Sequence, residues 1–233
     1  GSLIRPGTYA EYHLVDERIT GRKPATLSAA EAAALPLTSL TAWELLFDRL
    51  QVGGGQGKSL LIVGAGGGVG SILTQLASRL TGLTVIGTAS RPETRQWVES
   101  LGADHVIDHR QPFSEQLAAK GIRSVDYVAS LTHTDDYYDQ LVEILTPQGR
   151  LGLIDDPKTL DAMPLKRKAI SPHWELMFTR PLDTPADIIR QHENLTASAS
   201  LIDNGTFPTH MAEPASKNNA AYSRDAHRRR ESA

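Results

Sequence analysis

Residues 52–71 read VGGGQGKSLLIVGAGGGVGS, two glycine-rich loops separated by a short apolar run. The fold turns on which loop follows a strand and opens a helix. The first, GGGQGKS, ends like a triphosphate-binding loop, in which a glycine and then four further residues precede Gly-Lys-Ser/Thr. Counting back from Gly57 puts Val52 where that glycine is needed. This loop also precedes the apolar run, so it reads as a connection into a strand, with Lys58 at the surface. The second, GAGGGVGS, follows the apolar run 60–64. It opens a segment, 70–80, in which Ile72, Leu73, Leu76, Ala77 and Leu80 share one helical face. Gly64, Gly67 and Gly70 are three apart, and Ala65-x-Gly67-x-x-Gly70 fits a relaxed dinucleotide fingerprint. Small residues there allow a tight turn, close approach to a pyrophosphate and close packing of helix on sheet. The helix start then offers free N–H groups and a positive dipole end to the anion.

Outward from this stretch, apolar strands and amphipathic helices alternate. Strands are expected at 60–64, 83–88, 105–108, 125–130 and 150–155, and helices at 70–80, 92–101 and 135–145. The last helix is expected to stop at TPQG. Residues 168–178 supply a sixth strand or a strand–helix pair, interrupted by Pro172. Wholly apolar strands alternating with helices imply parallel strands buried on both faces, joined by right-handed crossovers. The fold class is therefore α/β, a doubly wound parallel sheet. Residues 1–50 differ, with a strand-like YAEYHLV, a turn at GRKP and an alanine-rich helix from Ser28. The stretch from Thr206 to Ala233 is polar and ends in AHRRRESA, which reads as a solvated tail.

The chain has 233 residues, 40% of them hydrophobic, which is enough for a sizeable core. A net charge of −3 gives no reason to expect a nucleic-acid or membrane partner. No apolar run reaches membrane-spanning length, and a cytoplasmic location is the default. Cysteine is absent, which excludes disulfides, a thiol nucleophile and cysteine-ligated zinc.

An NAD site calls for an acid about 20 residues past the glycine loop, at the tip of the second strand. Here that tip reads TASRPETR. Ala89 occupies the acid position and Ser90 and Arg91 follow. A hydroxyl and a guanidinium suit a 2′-phosphate, since arginine forms paired charge-assisted hydrogen bonds with it. NADP(H) is therefore the expected cofactor, and the missing acid also weakens a methyltransferase reading. Acid–base machinery is harder to find. No tyrosine has a lysine four residues later. His105 and His109 bracket a strand, where that spacing does not converge side chains. His133 lies near Asp135 and Asp136 in a loop, and His173 reads as packed or at an edge. The catalytic residues are unknown at this level.

Taken in order, YAEYHLVDE, LPLTSLTAWELL, LLIVGAGGGVGS, LGADHVIDH, LTPQGRLGLID and HWELMFTR closely resemble the medium-chain dehydrogenase/reductase superfamily. Within it the chain resembles the quinone oxidoreductase branch, and most of all its zinc-type alcohol dehydrogenase-like members. The resemblance runs from about Gly7 to about residue 205. It implies a Rossmann domain joined to a GroES-like barrel domain, and NADPH-dependent hydride transfer to a quinone, enone or carbonyl substrate. It further implies cofactor contacts from Thr41, from the loop Gly67, Gly68, Val69 and Gly70, from Ser90 and Arg91, and from His109 near the adenosine. Leu153 and Ile154 would line the nicotinamide. A homodimer is implied, with pairing along the edge near 168–178. No zinc is expected despite the family name. The resemblance divides the chain into a barrel remnant with linker at 1–35, the Rossmann domain at 36–180 and a returning C-terminal segment at 181–233. Most of the barrel and the closing C-terminal strand are missing from it, so the chain reads as a fragment with weak turnover of its own. The alternative reading is a non-catalytic nucleotide-binding or interaction module.

Overall fold

The structure, a computed structural model, describes residues 2–5 and 12–207. In chain order its elements begin with a 3-10 turn Glu17–Ile19, helices α1 (Ala29–Ala33) and α2 (Pro36–Trp43), and a π-helical turn Glu44–Arg49. Then come β1 (Ser59–Val63), α3 (Gly68–Leu80), β2 (Thr84–Thr88), α4 (Pro92–Ser100), β3 (His105–Ile107), α5 (Phe113–Ala119) and β4 (Val125–Ser130). The chain continues through α6 (Thr134–Ile144), β5 (Leu145–Leu153), α7 (Met163–Lys166), β6 (Ser171–Trp174), α8 (Thr179–Asp183) and α9 (Arg190–Asp203).

All six strands pair in parallel, in the order β3-β2-β1-β4-β5-β6. The winding therefore reverses between β1 and β4, which are neighbours in the sheet but not in the chain. The strands are apolar because helices cover both sides. Leu60, Leu61, Ile62 and Val63 of β1 are all buried. One face packs Leu61, Ile86, Val128 and Leu151 against Phe113, Leu117, Leu141 and Ile144. At about 25 cal/mol per Å² of apolar surface, such all-apolar strands are stable only when covered on both sides.

Several local expectations are corrected. The helix expected over 135–145 is α6 and ends at Ile144, but the fifth strand does not begin at 150: Leu145–Leu153 is one strand running through TPQG. Gln148 takes a left-handed φ of 63° and its N–H donates to the Lys168 carbonyl, so the strand bends and continues. Helix α5 was not anticipated, although Phe113 and Leu117, one turn apart, are both fully buried. The helix expected from Ser28 is a single short turn, with Ser28 and Glu31 closing a capping box, and α2 starts afresh at Pro36. In YAEYHLV, Tyr9, Ala10 and Glu11 lie outside the described residues, and Tyr12–Val15 is not a strand. No described residue forms a ladder with it.

The sheet and its helices form one compact unit, Leu37–Met177. The described residues up to Pro36, with those from Phe178 onward, form a second. In this second unit the Asp203 carboxylate accepts from the N–H groups of Ala25 and Thr26 and from the Thr26 hydroxyl, at 2.7–2.9 Å. Gly21 faces Leu195 closely enough that a Cβ would clash. Among the described residues no helix is long and apolar enough to cross a membrane.

Candidate functional site

The winding reverses between the C-terminal ends of β1 and β4, the usual ligand position in open parallel sheets. The glycine loop lies on the β1 side. Gly64 ends the strand with φ 81°, a left-handed value, and its N–H donates to the buried Thr88 hydroxyl at 3.1 Å. A Cβ on Gly64 would meet the Thr132 methyl, on the β4 side, at 3.0 Å. Gly67 is the N-cap of α3 and uses no side chain to cap it. The first helical bond runs from the Ser71 N–H to the Gly67 carbonyl at 2.8 Å. The N–H groups of Gly68, Val69 and Gly70 thus have no acceptor within the helix. Gly70 is forced by packing: a Cβ there would lie 2.7 and 2.8 Å from the Ala65 backbone and closer still to the Gly64 carbonyl. At Gly67 the same atom would find only the Gly64 carbonyl, at 3.4 Å. The protein itself therefore requires glycine at 70 but not at 67.

The other predicted residues fall around this end of the sheet or beside the loop. The Thr38 methyl lies 3.0 Å from where a Gly68 Cβ would sit, which puts α2 against the loop. Thr41 lies one turn further along α2, buried inside the helix and not at its N-cap. Its hydroxyl donates to the Leu37 carbonyl at 2.9 Å, so toward a ligand it can only accept. Ala89 is buried and Ser90 half-buried, and Arg91 is the exposed N-cap of α4. Leu153 is buried and Ile154 half-buried, and the Ile154 N–H donates to the Ser130 carbonyl at 3.3 Å.

Two arginines that the sequence did not single out lie at the tip of β2. Arg95 donates to the carbonyls of Ala89 and Val106, both at 3.1 Å, and so locks the tip of β2 to β3. Arg110 donates to the Ser90 carbonyl at 3.3 Å and to both oxygens of Asp108, the closest at 2.7 Å. The Arg110 guanidinium holds the Asp108 carboxyl down to about 2. The only sequence signal was the position of Arg110 just past the third strand.

His109 lies 6.3 Å from the Tyr137 ring, which in turn lies 5.5 Å from Phe113. Burial lowers the His109 pKa, and the Arg110 charge adds to the shift against the opposing pull of Asp108, so the ring favours its neutral form. Together these rings make an apolar, aromatic edge beside the tip of β3. His133 takes a left-handed φ of 54° before α6, with Nδ1 2.6 Å from the Thr132 hydroxyl. On the other side of α6's first residue, Asp155 receives the Thr134 N–H at 2.8 Å and its hydroxyl at 2.5 Å. These bonds fix the loop after β4 to the loop after β5.

The first loop, GGGQGKS, leads into the N-terminal end of β1, at the opposite end of the strands from the second. Lys58 is exposed, with Nζ 5.6 Å from the centroid of the Tyr127 ring. No triphosphate loop forms there.

A doubly wound parallel sheet with a glycine turn at its switch point is a Rossmann-type fold, the architecture of dinucleotide-dependent oxidoreductases. A family profile described as zinc-binding dehydrogenase matches residues 68–175. A zinc-type alcohol dehydrogenase-like protein of Staphylococcus aureus (strain MSSA476) is 42% identical over 214 residues, covering 89% of this chain and 63% of the relative. A crystal structure from Rhizobium etli CFN 42, provisionally assigned as a zinc-dependent alcohol dehydrogenase, is 53% identical with a TM-score of 0.95. It is covered over 69% of its length by the whole of this chain. A 2-methylene-furan-3-one reductase of Solanum lycopersicum is 42% identical over 114 residues, 49% of this chain and 29% of that one. The chain belongs to the medium-chain dehydrogenase/reductase superfamily, among its zinc-type alcohol dehydrogenase-like members. It spans 63% of the length of the curated S. aureus relative. The residues present do not fit a zinc site: cysteine is absent, and the described residues hold no group of three or more His, Asp or Glu that could bind a metal.

Proposed function

We propose that the Leu37–Met177 unit binds a nicotinamide dinucleotide, NADPH in preference to NADH, and that the protein reduces a quinone, an enone or another electrophilic carbonyl compound. The observation that carries this reading is the cradle at α3. Three N–H groups converge at a helix start where a Cβ on Gly67 would fill space that the protein leaves open. When bound, the cofactor supplies the hydride, and the chain supplies binding and orientation.

In this reading Gly68, Val69 and Gly70 hold the pyrophosphate through their N–H groups. Ser90 and Arg91 hold the 2′-phosphate, and Arg110 adds a second guanidinium beside Ser90, partly neutralised by Asp108. An acid at position 89 would repel that phosphate, and Ala89 does not. His109 and Tyr137 offer an edge for the adenine. Thr41, Leu153 and Ile154 line the nicotinamide end, where Thr41 accepts a hydrogen bond and cannot donate one. Relatives described as a 2-methylene-furan-3-one reductase and a quinone oxidoreductase homologue, from Solanum lycopersicum and Spinacia oleracea, support the substrate class.

We also propose a homodimer through β6. This strand is an edge of the sheet, with Trp174 50% exposed and Leu176, just past it, 54% exposed. An apolar edge of that kind is covered in stable proteins.

The test of function is a calorimetric titration with NADPH, NADH and S-adenosylmethionine, followed by NADPH oxidation with 9,10-phenanthrenequinone. Detectable NADPH binding with weak turnover is expected. Preference for S-adenosylmethionine would refute the cofactor, and binding without turnover would favour a non-catalytic module.

A further inference from the structure

The π-helical turn and the end of β6 meet around two carboxyl groups and one guanidinium. Arg49 Nε donates to Glu175 at 2.8 Å, and Arg49 Nη2 lies 4.0 Å from Glu44. Both glutamate side chains are 0% exposed, whereas Arg49 is 30% exposed. In an α-helix, residues five apart point away from one another. The wider π turn stacks them, and that brings Glu44 and Arg49 to one side. Glu44 and Glu175 thus meet the same guanidinium from within the interior, and two carboxyls brought together in this way can hydrogen-bond to each other only when one carries a proton. Two ionised carboxylates against one cation would bury an uncompensated negative charge, which is costly in a low-dielectric interior. One shared proton makes the cluster neutral. Burial first, then the charge of Glu44, pushes the Glu175 carboxyl up to about 8 against the pull of Arg49.

The position of Glu175 gives this cluster a consequence. Its N–H donates at 2.9 Å to the carbonyl of Leu153, the last residue of β5. Ile154, the next residue, donates to the Ser130 carbonyl. The acid is thus one hydrogen bond from the backbone assigned above to the nicotinamide. The other charged groups here are Arg150 of β5, which donates to the Leu50 carbonyl at 2.7 Å, and His173 of β6. Burial, with the charges of Arg150 and Arg49, lowers the His173 pKa, so it adds no cation near neutrality.

We propose that Glu175 is a positioning residue: it shares one proton with Glu44, and that proton keeps the chain after β6 docked on the end of β5, fixing the Leu153–Ile154 backbone for the nicotinamide. The last clause rests on the dinucleotide reading; the shared proton does not. The sign of the pH effect follows. The unfolded carboxyl titrates near 4.5 and the folded one near 8. The contribution to stability is full below about 4.5, falls as pH rises because the folded state retains a proton that the unfolded state has released, and is gone above about 8.

The test compares the full chain with Glu175→Gln and Glu175→Ala. A glutamine amide donates to Glu44 as the shared proton does, without titrating. Difference infrared spectra at neutral pH should show a protonated-carboxyl stretch in the parent that Glu175→Gln lacks. Amide exchange over 171–177 should stay slow near neutrality in the parent and lose about tenfold in protection as pH passes about 8. The glutamine variant should stay protected throughout, and the alanine variant should be unprotected at every pH. The NADPH Kd should rise about threefold or more from about pH 7 to about pH 9 in the parent and stay flat in Glu175→Gln. Absence of the carboxyl band, or the same pH step in the glutamine variant, overturns the proposal. A carboxyl band with a pH-independent Kd overturns the positioning role. If the parent binds neither NADPH nor NADH, the dinucleotide reading fails, and the band and the exchange step still decide the proton and the docking. Should Glu175→Gln not fold, Glu44→Gln gives the same comparison.

Discussion

Replacing Gly67 and Gly70 by alanine, one at a time, separates the glycine that the protein needs from the one that the ligand needs. At Gly70 a new Cβ would sit 2.7 and 2.8 Å from the Ala65 backbone, well inside contact distance, and neither α3 nor the turn can move without the other. Overpacking of this kind costs about 1–3 kcal/mol. For a chain of this size each kcal/mol lowers Tm by about 2–4 °C, so Gly70→Ala should melt about 2–12 °C early. At Gly67 the backbone, φ −77° and ψ 176°, is open to any residue, and the nearest atom is 3.4 Å away. Alanine there also restricts the unfolded chain, worth about 0.4–1 kcal/mol in favour of folding. An N-cap prefers glycine to alanine, which offsets that gain, so Tm should stay within about 2 °C. The added methyl lies where a pyrophosphate would approach the free N–H groups. Losing one charge-assisted bond, about 1.5–3 kcal/mol, weakens NADPH binding by about tenfold or more. Scanning fluorimetry without ligand and calorimetric titration with NADPH measure the two effects. The reasoning is refuted if Gly67→Ala destabilises as much as Gly70→Ala, or if it binds NADPH as well as the parent does.

Arg91→Ala should weaken NADPH by about 10- to 100-fold, the worth of a charged hydrogen bond, and leave NADH nearly unchanged; equal losses by calorimetry would remove Arg91 from the 2′-phosphate site. Lys168 donates to the carbonyls of Val142, Glu143 and Leu145 at 2.6–2.9 Å, closing the end of α6. Lys168→Met should therefore cost about 1.5–3 kcal/mol in urea unfolding, and an unchanged midpoint would show those bonds to be replaced by water. Trp174→Glu should convert the expected dimer to a monomer in sedimentation experiments, because it buries a charge in the pairing edge; a dimer that survives this change does not use β6.

What the sequence decided by itself is what neighbouring residues decide together. Buried parallel strands must be apolar on both faces, so LLIV and its successors announce the doubly wound sheet. The spacing of Gly64, Gly67 and Gly70 sets the turn, and Gly70 is needed because the helix packs directly on it. Ala89 with Ser90 and Arg91 bears on the cofactor through the character of one strand tip. Even locally, Pro147 and Gly149 misled, because a strand can pass through TPQG once Gln148 turns left-handed and bonds Lys168. YAEYHLV alternates like a strand, yet Tyr12–Val15 forms none, since a strand requires a partner and pattern alone supplies none. Only the tertiary structure decided that β4 lies beside β1, which sets Thr132 opposite Gly64, and that Arg110 reaches the Ser90 carbonyl from the loop after β3. It alone brought Arg49 to Glu175, 126 residues away in sequence. Such meetings depend on the order in which strands pack and on the cost of burying charge, which only the folded chain brings into play.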